Sequence, residues 1–290
     1  MIDIAVIIPT LKLTDLLDQC LTSLSKSTLN GTFEVSVSLN SEPPPEFKNW
    51  EKKYSWVKWH VLGKNLGFAK AINYAIQRTT ARHYFLLNED TEVYPDTLQK
   101  VINGLERNNV AVVGAKLYYP DRRTLQHCGG ILQANYLSNH IGEGELDEGQ
   151  YDEIRECDYV TGAALGINGD YLKKYGALST SYFPLYYEET EYCLRARDRD
   201  YRVIYDPAIK VVHYESRCYG RFSSYYYHLF HKNRGIFILR NAGLKELLRF
   251  IVAEIKWLGQ YRPSNQYRTL GRMYLYMLLT FPYHMLTRWK

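Results

Sequence analysis

Two acidic clusters in this 290-residue sequence have residue types that could do chemistry. The first, Asn88-Glu89-Asp90, ends the apolar run Phe85-Leu86-Leu87. Adjacent carboxylates repel, and burying them without a partner is costly. The triplet is therefore either a solvated strand end that favours the next helix or a cation site. Hard cations such as Mg²⁺ and Mn²⁺ take oxygen ligands, and Mg²⁺ often needs only one or two protein carboxylates beside diphosphate oxygens and water. The second cluster is Glu188-Glu189-Thr190-Glu191, followed by Arg195, Arg197 and Arg199. Acids first and bases last suit a helix dipole, and Glu191 with Arg195 forms an i,i+4 pair. One of these carboxylates, held within reach of a substrate hydroxyl, would serve as a general base. His213, closing Lys-Val-Val-His, is either structural or completes an oxygen-rich metal site.

The elements that must position these groups alternate. Ile4–Ile8, Phe33–Leu39, Val57–Leu62, His83–Leu87 and Val110–Gly114 read as strands. Between them, the leucines of residues 14–26, the stripe Phe68, Ala71, Ile72, Ala75 and Ile76, and a segment with Pro95 in its first turn running to about Arg107 read as helices. This alternation predicts an α/β fold with a mostly parallel sheet and right-handed crossovers, whose ligands gather at the carboxyl ends of strands. Thr10, Asn40, Asn65 and Asn88-Glu89-Asp90 all fall just past strands and should share one edge. The Gly- and acid-bearing stretch 115–160 reads as irregular, with a hairpin or a mobile loop. RVIYD and KVVH, within residues 202–213, read as two short strands, and the chain from Ser224 onward as helical.

The bulk composition, 46% hydrophobic and 23% charged, fits a globular chain. Five cysteines with no CxxC pair argue against a disulfide framework and a zinc site, and fit a reducing compartment. MIDIAVIIPT has no signal-peptide pattern, so a cytoplasmic location is expected. IIPTLKLTDLL lacks the glycines of a phosphate loop, which argues against a dinucleotide-binding protein and a nucleotidyltransferase. The 27 tyrosines suit core edges or sugar contacts.

The net charge of +5 is uneven: residues 240–290 hold nine Lys/Arg and two Asp/Glu, whereas the preceding 239 hold 27 and 29. Leu244, Leu247, Leu248, Ile251, Ile255 and Leu258 form a helical stripe with Lys245, Arg249 and Lys256 off it. Residues 273–286 lack acid, Lys or Arg, but the run is short and contains Pro282. Both segments are expected to lie on an anionic membrane surface, the inner face of the cell membrane, rather than cross it. Packing on the preceding domain is the alternative. No nucleic-acid partner is expected.

Asn40-Ser41, NLGFAKAIN, LLNEDTEVYP, VTGAALGIN, FPLYYEETEYCLRAR and DPAIKVVH follow one another over roughly residues 4–220. In this order they resemble the inverting glycosyltransferases of family 2, most of all their bacterial rhamnosyltransferase-like branch. The resemblance implies a GT-A catalytic domain over residues 1–220, with 221–290 as a C-terminal helical extension. It implies a nucleotide-diphosphate-sugar donor and a divalent Mg²⁺ or Mn²⁺. Asp90 then stands as the metal-binding carboxylate and His213 as a metal contact. Glu188-Glu189 stands at the family's catalytic pair, with Glu189 the base. Thr10, Asn40, Asn65, Gly67, Asn88, Glu89 and Asp90 are the donor-side residues. Gly67 has a physical reason as well, since backbone without a Cβ approaches a ligand closely. Tyr186 and Tyr187 either stack on sugar rings or pack beside the helix; Arg217, Arg221 and Arg234 either cover the diphosphate or are surface.

Two departures stand out. Leu39 occupies the position of a family Asp that contacts the nucleobase, and Glu189 replaces an Asp, reaching one methylene further. The implied reaction is transfer of a sugar, rhamnose first and galactose or glucose next, to a hydroxyl of a lipid-linked glycan in bacterial surface polysaccharide synthesis. A non-catalytic scaffold is the alternative that these departures leave open.

Overall fold

The structure, a computed structural model, describes residues 1–215, 223–260 and 266–287. Its first half follows the alternation in the sequence: β1 (Ile2–Thr10), α1 (Asp15–Leu24), β2 (Phe33–Leu39), α2 (Phe47–Lys53), β3 (Val57–Val61), α3 (Phe68–Ile76) and β4 (Ala81–Leu87). Then come β5 (Thr91–Val93), α4 (Thr97–Leu105), β6 (Val110–Tyr118), β7 (Leu125–His127), β8 (Gly130–Leu132), β9 (Ser138–His140) and β10 (Arg155–Glu156). β11 (Ala164–Asn168), α5 (Gly169–Tyr175), α6 (Glu188–Arg197), β12 (Arg202–His213), α7 (Ser224–Asn241), α8 (Leu244–Gln260) and α9 (Tyr267–Thr287) complete it.

The main sheet runs β10-β12-β6-β11-β4-β1-β2-β3. β3, β2, β1 and β4 are parallel, as are β6 and β12; β11 enters between β4 and β6 antiparallel to both. Alternation along β1 feeds two cores. Ile4, Val6 and Ile8 pack with α1 and α4 on one face, while Ala5 and Ile7 pack with α3, α5 and α6 on the other.

Two expectations need correcting. β12 is one strand rather than two; its register slips between Asp206 and Lys210, where Pro207 cannot donate to the ladder. Pro95 precedes α4 instead of sitting in its first turn, and Asp96 is the N-cap. α2 was not expected; Phe47 and Trp50 meet Trp59 edge-on, with ring centroids 5.6 and 6.4 Å apart. The hairpin read in 115–160 is present as β8–β9, and β7 is ordered beside it by pairing with β6.

The tail helices pack on the sheet domain. From α7, the Asn233 amide donates to the carbonyls of Tyr182 (2.6 Å) and Leu185 (2.7 Å), and Phe237 packs with Tyr182 and Tyr187. Arg234 does not reach the site edge. Its guanidinium, fully buried, pairs with Glu254 of α8, which also accepts from Asn135 and the Tyr274 hydroxyl. The expected domain boundary at 220/221 and Arg217 and Arg221 lie outside the described residues. Leu244, Leu248, Ile251 and Ile255 face outward from α8, while Leu247 and Leu258 are half-buried. Among the described residues no helix is long and apolar enough to cross a membrane.

Candidate active site

A cavity of about 800 Å³ opens at the carboxyl ends of the parallel strands, a size suited to a small-molecule site. Thr10, Asn40, Asn65, Gly67, Asn88, Glu89, Asp90, Glu189 and His213 all line it. Glu188 does not; it is buried behind the wall, against Leu66, Gly67 and Phe183.

Strand ends place the first group. Asn40 follows β2 and holds the loop before α3: its side-chain oxygen accepts from the Leu66 amide (2.7 Å), and its Nδ2 donates to Asn65 Oδ1 (3.2 Å). Asn65 Oδ1 accepts from the Gly67 amide at 2.9 Å. Gly67 has φ 85°, and a Cβ there would come within 2.7 Å of the Phe183 ring, so glycine is required twice over. The next amide, Phe68 N–H, donates to the Pro184 carbonyl at 2.8 Å. The loop before α3 thus touches the loop before α6. Leu39, by contrast, is buried in β2 and is not part of the wall.

Register brings Asp90 to His213. β5 pairs antiparallel with β12, setting Thr91 opposite His213, so the residue before Thr91 meets the end of β12. His213 Nε2 lies 3.2 Å from Asp90 Oδ1 and 3.5 Å from the Asn88 amide nitrogen. His213 Nδ1 sits 2.6 Å from Gln126 Oε1, which can only accept. That places a proton on Nδ1 and leaves Nε2 directed at Asp90 and Asn88, where the neutral ring offers a lone pair to a cation. The 3.2 Å separation also matches the ~3 Å edge between neighbouring ligands of an octahedral shell with ~2.1 Å bonds. The pair fits a hard divalent cation, although among the described residues no cluster of three or more His, Cys, Asp or Glu could hold one without outside ligands.

Glu89 plays a different part. Burial, with the charge of Asp90 beside it, pushes its carboxyl up to about 8. The Thr10 hydroxyl contacts both the Lys12 carbonyl (2.6 Å) and the Glu89 carboxyl. A Glu89 carboxyl raised in this way can donate to the Thr10 hydroxyl while that hydroxyl donates to the Lys12 carbonyl.

The second cluster also reaches the cavity. Tyr186 and Tyr187 have φ of 81° and 76°, a region that costs non-glycine residues about 1–3 kcal/mol each. This turn swings Glu189 to the cavity at the first turn of α6. Burial raises its carboxyl to about 7. Glu188 is pushed well above the usual carboxylate range, first by burial and then by the charge of Glu189. Tyr187 lines the cavity but is almost fully buried, its hydroxyl donating to the Tyr136 carbonyl (2.7 Å). Glu191 keeps its i,i+4 contact with Arg195 at 3.6 Å, and Arg195 donates to the carbonyls of Tyr175 and Ala177, so this part of the cluster is structural.

Sequence reasoning missed Gln126, Ser138, Asn139, His140, Glu143 and Tyr159, all of which line the cavity. The only signal was the pair of short apolar-flanked runs on either side of Gln133–Tyr136, a hairpin pattern without a motif.

Residues 5–147 match the model described as Glycosyl transferase family 2. Among curated proteins, the chain is 27% identical to the uncharacterized protein y4gI of Sinorhizobium fredii over 75% of its own length and 25% of that protein's. It is 26% identical to the O-antigen biosynthesis protein RfbC of Myxococcus xanthus, over 73% of this chain and 17% of that one. It is 23% identical to the low-salt glycan biosynthesis hexosyltransferase Agl10 of Haloferax volcanii, over 72% and 68%. The chain thus spans a quarter or less of the first two. Among solved structures it resembles GalNAc-T7 with UDP, GalNAc and Mn²⁺ (TM-score 0.64, 14% identity, 82% of this chain, 48% of that one). It also resembles the mannosyltransferase PcManGT of Pyrobaculum calidifontis with GDP-Man and Mn²⁺ (TM-score 0.57, 14% identity, 97% and 87%). At such identity the likeness shows the fold, which is GT-A.

Proposed function

We propose that this chain, whose residues 5–147 match the glycosyltransferase family 2 model, transfers a hexosyl group with inversion from a nucleoside-diphosphate sugar to a hydroxyl of a glycan. The observation that carries this reading is that Asp90, His213 and Glu189 line one cavity, with the Glu189 carboxyl raised to about 7 by burial. Asp90 and His213 would hold Mg²⁺ or Mn²⁺, which supplies charge stabilisation to the departing diphosphate. Asn40, Asn65 and the Gly67 backbone orient the nucleotide end. Glu189 takes the proton of the acceptor hydroxyl as that oxygen bonds to the anomeric carbon and the bond from that carbon to the diphosphate breaks. Glu188 is a neutral buried neighbour rather than a second base.

For the sugar, rhamnose comes first on the sequence resemblance, with galactose and glucose next; the hexosyltransferase and mannosyltransferase relatives support a hexose. The O-antigen relative supports a glycan acceptor. The outward apolar stripe of α8, flanked by Lys245, Arg249 and Lys256, supports a peripheral seat on an anionic membrane and a lipid-linked acceptor.

The test is a panel of UDP-, GDP- and dTDP-sugars with Mn²⁺, read by thermal shift and by release of nucleoside diphosphate. Stabilisation by at least one donor, abolished in Asp90→Ala and kept without turnover in Glu189→Gln, is expected. Full turnover in Glu189→Gln would overturn the base assignment.

A further inference from the structure

The cavity has two unlike halves. Around the strand ends it is polar: Thr10, Asn40, Asn65, Asn88, Asp90 and His213. Around the wall that carries Glu189 it is aromatic. Tyr186 meets Tyr226 of α7 edge-on, with centroids 5.4 Å apart and planes at 71°. Tyr226 in turn lies nearly parallel to Phe230, one helical turn on, at 6.0 Å and 9°. Phe230 packs against Tyr187, with centroids 5.4 Å apart, which fixes the platform to the base of α6. Ser138, Asn139 and His140 of β9 also line the cavity.

Resting on the transferase reading, we propose that Tyr186, Tyr226 and Phe230 form the acceptor subsite, and that it takes a saccharide ring. The base must touch the acceptor hydroxyl, so the acceptor lies against the wall that holds Glu189, not the wall that holds Asp90. That wall continues directly into the aromatic platform. A sugar ring pairs an apolar C–H face with a rim of hydroxyls. The first matches flat aromatic faces and the second matches the polar side chains of β9. A peptide or a bare lipid alcohol would use only one of the two. The platform is built largely from α7, beyond the residues matched by the family model, so acceptor choice resides in this chain's own C-terminal helices.

The test uses the full chain with Mn²⁺ and a nucleoside diphosphate, and methyl glycosides of glucose, galactose, mannose and rhamnose as probes. Methyl glycosides lack an alkyl chain that the stripe on α8 would take. Saturation-transfer NMR is expected to show contact to ring C–H protons of at least one glycoside in the wild type. The signal is lost in Tyr226→Ala/Phe230→Ala and kept in Tyr226→Phe. Thermal stabilisation by UDP, GDP or dTDP with Mn²⁺ persists in all three. Should the double variant lose that stabilisation, Tyr226→Ala alone carries the comparison. No ring-proton signal in the wild type, or an equal signal in the alanine variant, overturns the subsite while nucleotide stabilisation leaves the donor reading standing. Absence of nucleotide stabilisation in the wild type overturns both.

Discussion

His213 Nε2 faces Asp90 Oδ1 at 3.2 Å, and the opposite ring nitrogen is held by Gln126 Oε1 at 2.6 Å. The imidazole is therefore aimed by a residue from a short strand at the sheet margin. Removing the aiming group should weaken the proposed cation site even though Gln126 is not one of its proposed ligands. Gln126→Leu is expected to lower Mn²⁺ affinity about 10–100-fold. Calorimetric titration of Mn²⁺ in the presence of a nucleoside diphosphate measures it, and unchanged affinity would remove Gln126 from the site.

With Glu189 as the proposed base, its carboxyl should set the pH profile. A general base acts when deprotonated, and burial holds this carboxyl at about 7. The first-order rate at saturating substrate should rise with pH through about 7 and level off above it. Stability runs the other way. A folded-state pKa above the unfolded value favours the folded state fully below about 4.5, and that contribution is lost as pH rises through about 7. Glu189→Gln should abolish turnover and raise Tm relative to wild type at pH 8, with the gap closing at pH 4. A lower Tm in the variant at pH 8 would contradict the burial argument.

The Arg234–Glu254 pair, 2.5 Å apart with side chains 0% and 5% exposed, ties α7 to α8. Glu254→Ala strands a buried guanidinium and should cost about 3–5 kcal/mol, seen as a fall in denaturant midpoint. Arg234→Met/Glu254→Leu removes both charges and should recover most of the loss. Equal losses in the single and double variants would show that the packing, not the charge, is responsible.

The outward stripe of α8 makes no internal contribution that a surface change would forfeit. Leu248 and Ile255 are 67% and 65% exposed. Leu248→Glu/Ile255→Glu should leave Tm within a degree or two and reduce flotation with vesicles containing anionic phospholipid. Flotation equal to wild type would assign the stripe to another role.

The first half of the fold was legible because its periods are plain. Residues in α1, α3 and α4 bury one face, and β1 alternates between two cores, so pattern and packing agree. β11 was not legible as a strand: Ala164-Leu165-Gly166-Ile167-Asn168 is short, carries a glycine, and pairs antiparallel inside a parallel sheet. Gly166 earns its place only through the tertiary structure, where a Cβ would come within 2.7 Å of Val113. At the site, residues that follow strands were found at once. Gln126 and His140 were not, because their positions depend on pairings between segments with weak local preference. The aromatic platform escaped for the same reason: Tyr226 and Phe230 approach Tyr186 only once α7 has folded back.

One hydrogen bond has a kinetic meaning. The Phe68 amide opens α3 at the donor loop, and its acceptor is the Pro184 carbonyl in the loop that ends at the base. If the proposed donor seat on Asn65 and Gly67 holds, a bound nucleotide sugar should order Leu185 and Tyr186 through this bond before any alcohol arrives. Steady-state turnover should follow a compulsory order, sugar nucleotide first. The released nucleoside diphosphate would then compete with the donor and inhibit non-competitively against the acceptor.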